Sequence, residues 1–220
     1  MERCERVTLS VVILGTGGHA AVLFDAVASN PDYSVVGFCD NDPSRVGKHF
    51  FEIEIFSENE LMDRFSNQRV HLINGVGAVK STPVRQSIFD RFKDIGYSFA
   101  SVRHPSAIVA KAVRLGEGTQ LMAGSIVQVR AEVGENSIVN TGASVDHDCK
   151  IGNHVHLSPG STLSGGVRIG DGTHVGTGAV VIEGICLGNR VTIGAGAVVV
   201  NDIADDITAV GIPARPSRST

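Results

Sequence analysis

The chain has no tryptophan, two tyrosines and only 5% aromatic residues over 220 positions. Thin layers filled by aliphatic side chains are therefore expected rather than one bulky core. An excess of one charge is also missing: 19 Lys and Arg against 23 Asp and Glu give a net charge of −4. That balance argues against a nucleic-acid-binding surface. No run approaches the roughly 20 apolar residues of a membrane helix. The four cysteines, Cys4, Cys39, Cys149 and Cys186, include no C-x-x-C pair. A zinc ribbon or thioredoxin-like site is thus not expected, and scattered thiols suit a reducing compartment. The start, MERCERVTLSVVIL, is charged and then apolar, but runs into GTGGHA with no small-residue cleavage site. A cytoplasmic protein is expected.

Glycine, by contrast, is frequent, with 26 residues, and the chain carries two different periods. Residues 1–102 alternate apolar runs with helical patterns, which predicts a Rossmann-like domain with a small parallel sheet and helices on both faces. VTLSVVIL reads as a buried strand, and HAAVLFDAVASN as a helix with Ala21, Phe24, Ala28 and their neighbours on one side. YSVVGFCD is a second strand ending at Asp40. SENELMDRF is a short helix in which Ser57 and Glu60 form a capping box. RVHLINGVG is a third strand. TPVRQSIFDRFKDIG is a helix with Pro83 near its start and Gly96 at its end, and YSFASV is a last strand.

From residue 109 the period becomes six. Sixteen positions from Val109 to Val199, spaced six apart, are all Val, Ile or Leu. Chance gives such a run only about once in a million. Four residues after each comes a small or β-branched residue in nearly every case, such as Thr119, Ser125, Ala131, Ala143 and Cys149. Gly116, Gly134, Gly152, Gly170 and Gly188 add a repeat of 18. A six-residue unit is one short strand plus a tight turn, and three units return the chain to its start. Such triangular coils stack about 4.8 Å apart through backbone hydrogen bonds. Residues 103–220 are predicted to form this β-helix and a tail. It resembles the left-handed hexapeptide-repeat β-helix of acyltransferases.

The stretch ILGTGGHAAV carries Gly15, Gly17 and Ala20 in the G-x-G-x-x-G/A spacing of dinucleotide-binding folds. A complete dinucleotide fold needs two halves and about six strands. The residues before the β-helix supply roughly one half. A nucleotide-sugar diphosphate is therefore the better ligand, with Gly15, Gly17 and Gly18 allowing close approach at a helix N-terminus. Asp40 ends the second strand and Asp42 follows it, where an acid accepts from ribose or base, and Gly77 lines the same edge.

A small Rossmann-like domain followed by this β-helix resembles the amino-sugar N-acetyltransferase and sialic acid O-acetyltransferase family. GTGGHA resembles that family's opening motif, with His19 in place beside the sugar diphosphate. RHPSAIV resembles its junction, NTGASVDHDCKIGNHVHLSPG its catalytic segment, and GIPARP the tail that closes on coenzyme A. The resemblance implies acetyl-CoA as co-substrate, a nucleotide-linked amino sugar as acceptor, and a homotrimer with sites at its interfaces. It also implies a role in surface-glycan synthesis.

Acetyl transfer to an amine needs a proton acceptor, a polarised thioester carbonyl and close placement. His147 lies two residues past the inward Val145, at a corner of the prism, flanked by Asp146 and Asp148. Its near-neutral pKa suits a general base. The resemblance assigns Asp148 as its orienting acid, His156 as the second histidine near the thioester, and Asn140 as a polar residue of the site. Cys149 occupies a small inward position and reads as filler. His156 and His174, 18 apart, should stack; a zinc site would need three or four converging ligands, and no metal is expected. Gly165 and Gly166 would let the pantetheine approach the backbone, and Arg215, or Lys150 and Arg168, would meet its phosphates. The expected activity is N-acetylation of a nucleotide-linked amino sugar of the 4-amino-4,6-dideoxy type. A sialic-acid-type O-acetyltransferase and a non-catalytic nucleotide-sugar scaffold are the alternatives.

Overall fold

A computed structural model describes residues 8–78 and 82–217. Cys4 and most of the charged start lie outside the described residues. The N-terminal half is a sheet flanked by three helices. β1 (Leu9–Leu14) is central, followed by α1 (Gly18–Ala28), β2 (Tyr33–Cys39), β3 (His49–Phe50) and β4 (Ile53–Phe56). α2 (Glu58–Arg64), β5 (His71–Asn74) and α3 (Thr82–Asp94) complete it. The sheet order is β3-β4-β2-β1-β5, parallel except for the β3–β4 hairpin.

β1 is apolar without alternation because both of its faces are covered. Val11 and Ile13 pack with Leu23, Ala26 and Val27 of α1, whereas Val12 and Leu14 pack with Leu61 of α2 and Phe89 and Phe92 of α3. The α2 start has the expected capping box between Ser57 and Glu60. Two readings of this half need correction. The buried side of α1 is Ala20, Leu23, Ala26 and Val27, while Ala28 is exposed. The helix is apolar almost all round, so periodicity did not fix its phase. YSFASV is not a sheet strand. It makes one parallel bridge, Leu72 to Phe99, and Val102 already pairs with Gln120 of the β-helix.

From Val102 the chain winds as two-residue strands with four-residue corners, each in parallel register with the one 18 residues on until the last coil, where Thr192 pairs with Thr208. Three flat sheets result. A domain-side face carries Gln120, Ile138, His156, His174 and Thr192 outward. An uncharged face carries Ile108, Ile126, Ser144, Thr162, Val180 and Val198. A charged face carries Arg114, Glu132, Lys150, Arg168 and Cys186. The six-spaced aliphatic residues fill the interior, with the small positions such as Ala143 and Cys149 fully buried between them. Leu115 is the exception, 39% exposed, because it lies in the first coil and nothing stacks beneath it. The halves share a core: Met122 and Ile138 of the early coils pack in the same cluster as α1 and the sheet.

Candidate active site

The first cavity forms at the C-terminal edge of the N-terminal sheet. It is about 760 Å³ and is lined by Gly15, Thr16, Gly17, Gly18, His19 and Asp40, with Gly75, Val76, Gly77 and Val84 opposite. Gly15 has φ +92°, and a Cβ on Gly17 or Gly18 would meet nothing within 4 Å. Open space therefore lies above the turn. The α1 N-cap is Gly17, with no side-chain cap, so the first amides of the helix are left for an anionic ligand. The Thr16 hydroxyl donates to Asp40, and Arg45 reaches Thr16 Oγ1 at 2.7 Å. Asp42 does not line the cavity. Its Oδ1 accepts from the Ser44 amide at 2.9 Å, and Arg45 lies 3.3 Å away. An Asx turn has drawn it into the loop.

A second cavity, about 610 Å³, opens on the domain-side face between Ala78 and Pro83 of one half and Asn140, His156, Ser158 and His174 of the other. Gly77 lines the first cavity and Ala78 the second, so the two flank one segment of chain. The Asn140 amide donates to His156 Nε2 at 3.0 Å. His156 Nδ1 is buried beside the Ala78 backbone. Burial pushes the His156 imidazole down to about 3, with His174 adding to the effect, so the ring is neutral. His174 stacks edge-on against it at 5.0 Å.

Between the cavities runs a buried polar network that the sequence reading did not anticipate. His19 Nε2 donates to Gln120 Oε1 at 2.8 Å, and Gln120 Nε2 donates to the Asn74 carbonyl at 2.8 Å. Arg85, fully buried, donates to the carbonyls of Asn74 (2.6 Å), Val76 (2.9 Å) and Asn136 (3.2 Å). Burial holds His19 down at about 4, with Arg85 contributing, and Arg85 itself at about 9. The network ties the glycine-lined segment to the β-helix. No sequence signal marked it: Gln120 precedes an inward aliphatic just as the exposed Lys150 and Arg168 do.

His147 sits at the corner between the uncharged and charged faces, with its side chain 50% exposed. Its Nδ1 meets Asp148 Oδ2 at 2.8 Å, and its backbone N–H donates to Asp146. Arg130 donates to Asp148 through Nε at 2.6 Å and Nη2 at 2.7 Å. The Asp148 hydrogen bond pushes the His147 imidazole up, and Arg130 and His147 hold the Asp148 carboxyl well below the usual carboxylate range. With Nδ1–H committed to Asp148, Nε2 carries the free lone pair. Gly165 lies under the ring: a Cβ there would meet His147 Cε1 at 2.6 Å. Its missing side chain therefore seats the imidazole. Gly166 is an open corner with φ +68°, and Arg215 is exposed in the tail, bonded to the Ala214 carbonyl at 2.9 Å. Cys149 is buried, its thiol raised by burial. Within one chain, Asp148 lines a different cavity, with Arg130, Lys150 and Arg168, from the one lined by Asn140 and His156; the full width of the uncharged face separates them. Among the described residues no group of three or more His, Cys, Asp or Glu is placed to hold a metal ion.

Residues 10–92 match the family model "PglD N-terminal domain", and residues 130–165 match "Bacterial transferase hexapeptide (six repeats)". UDP-N-acetylbacillosamine N-acetyltransferase of Bacillus subtilis (strain 168) is 39% identical over 116 residues, 52% of this chain and 51% of that protein. The match thus spans about half the length of that curated relative. The acetyltransferase domain of PglB from Neisseria gonorrhoeae FA1090, solved in complex with acetyl coenzyme A, is 32% identical with TM-score 0.87, covering 96% of this chain and 100% of that one. PerB from Caulobacter crescentus, in complex with CoA and GDP-perosamine, is 36% identical with TM-score 0.86, covering 95% and 97%.

Proposed function

The chain belongs to the hexapeptide-repeat sugar N-acetyltransferases that carry a PglD-type N-terminal domain, and we propose that it acetylates a nucleotide-linked amino sugar with acetyl-CoA. The acceptor we assign is of the 4-amino-4,6-dideoxy type. The observation that carries this reading is the His147–Asp148 pair: a 2.8 Å bond fixes Nδ1 and leaves Nε2 free on an exposed edge.

The glycine-lined cavity takes the nucleotide diphosphate on the α1 amides, with Asp40 beside the ribose or base. The sugar then passes Ala78 toward Asn140 and His156. His147 Nε2 accepts the proton of the amine, and the nitrogen attacks the thioester carbonyl. The tetrahedral oxyanion is held by a backbone N–H, by the remaining amide hydrogen of Asn140 or by His156. Collapse breaks the C–S bond, and the coenzyme A thiolate leaves with the proton returned from the imidazolium.

One chain does not unite these groups, and a trimer does. Three prisms packed with their uncharged faces toward a common axis bring the edge bearing His147 against the next chain's edge bearing Asn140. The outward column Ile108, Ile126, Ser144, Thr162, Val180 and Val198 carries no charge, which suits burial there. Acetyl-CoA lies along that seam, passing Gly166 and Arg215. Both co-substrates and the absence, among the described residues, of a helix long and apolar enough to cross a membrane fit a cytoplasmic reaction that supplies surface-glycan synthesis.

Thiol release from acetyl-CoA with UDP-, GDP- and dTDP-linked amino sugars tests this, with a sialic acid as hydroxyl acceptor. His147→Asn should lose at least about a hundredfold in kcat/KM. Retained activity in that variant removes the base assignment. Turnover on the hydroxyl acceptor alone moves the activity to O-acetylation, and no turnover at all favours the scaffold.

A further inference from the structure

Arg130 belongs to none of the motifs above. In the coil stack it occupies the same corner position as Asp148, one level below. The column is Ala112, Arg130, Asp148, Gly166 and Gly184, all with left-handed backbone; φ is +61° at Arg130 and +60° at Asp148. Glycine serves this corner without strain, as it does at two of the five levels. Arg190 and Asp206 make a like left-handed pair at another corner, at 2.6 and 2.7 Å; what sets Arg130 and Asp148 apart is the histidine bonded to the same carboxylate.

The side chains of Arg130 and Asp148 form a planar fork. Arg130 Nε and Nη2 each take one Asp148 oxygen, at 2.6 and 2.7 Å, and Oδ2 also takes His147 Nδ1 at 2.8 Å. The guanidinium therefore fixes the carboxylate plane, which in turn fixes the imidazole. All three groups are well exposed, at 63%, 42% and 50%, and exposed ion pairs add little to fold stability. The charged groups facing His147 are Asp146 and Asp148 of its own corner, Glu183 of a higher coil, and Arg130 through Asp148. Without Arg130 the imidazole would sit among three carboxylates and no cation.

We propose that Arg130 is a positioning residue of the acetyl-transfer site. It aims the Asp148 carboxylate and offsets part of its charge, so that the His147 ring is held in one orientation with Nε2 outward. This rests on the reading of His147 as the base.

The test titrates His147 directly by NMR of its imidazole Cε1–H, assigned with His147→Asn, in the intact protein, Arg130→Gln and Arg130→Lys. The pH profile of kcat/KM is recorded alongside. Gln removes the cation, so the His147 midpoint and the acidic limb of the profile should both rise by about half a pH unit. Its kcat should fall roughly tenfold while both KM values stay within about twofold. Lys keeps the charge but not the fork. It should hold the native midpoint and lose part of kcat. A Gln variant whose midpoint stays or falls, or whose turnover is unchanged, overturns the proposal. Activity surviving in His147→Asn instead overturns the base assignment, and the NMR midpoint then still reports on Arg130 alone.

Discussion

At the His147 edge a missing side chain is as informative as those present. The space that a Cβ on Gly165 would need is filled by the imidazole, with Cε1 at 2.6 Å and Nε2 at 2.7 Å. The backbone there is ordinary, so alanine would be accepted by the chain and rejected only by the ring. Gly165→Ala is expected to fold with a native melting temperature and to lose at least about tenfold in kcat. Steady-state kinetics with a crystal structure checks this, and a tipped imidazole is the expected cause. The DHD triplet was legible because its three members are neighbours in sequence. Gln120, Arg85 and Arg130 were not, because what gives them meaning lies elsewhere in the chain: His19 is 101 residues from Gln120, and Asn136 is 51 from Arg85. The Asx turn at Asp42 was not legible either, although its partner Ser44 is only two residues on.

Elements were legible wherever the sequence writes a period or a cap, and illegible where geometry replaces the usual residue. The β-helix follows from spacing alone, and α2 from Ser57 and Glu60. The β3–β4 hairpin was missed because its two-residue turn is Phe51-Glu52, both left-handed at φ +48° and +61°, where Asn-Gly is the usual signal. Phe51 is kept there by its stack on Phe24 at 4.7 Å. Glu52 has no such reason. Glu52→Gly should therefore relieve about 1 kcal/mol of backbone strain and raise the melting temperature by about 2–4 °C. Calorimetry measures this; kcat/KM should not move, since the hairpin is at the sheet edge away from both cavities. The misread YSFASV segment belongs to the same scale. Its alternation is strand-like, but Val102 is already committed to Gln120 in the β-helix, so the segment meets the sheet in a single bridge, with the Ser98 carbonyl and the Ala100 N–H bonded to Leu72.

The molecule as a whole joins a glycine-lined cleft to a solenoid through a shared apolar core and one polar network, and that joint fixes which face of the prism the sheet covers. The six-residue period gives the number of coils but treats all three faces alike, so the choice of face was beyond it. Once the domain-side face is covered, the two site halves lie on opposite edges of the uncharged face, and their union becomes a property of assembly. Complementation between inactive variants tests this. His147→Asn keeps Asn140 and His156; His156→Ala keeps His147 and Asp148. Each homotrimer spoils every seam. In trimers formed from equal amounts of the two, a seam works when a His156→Ala chain supplies the base to a His147→Asn neighbour, which random mixing gives in about a quarter of cases. Thiol release should therefore recover to roughly a quarter of the native rate after co-refolding, and not after mixing preformed trimers. If both halves of the site came from one chain, every seam in every mixture would hold one defect, and the co-refolded sample would be as inactive as its parents.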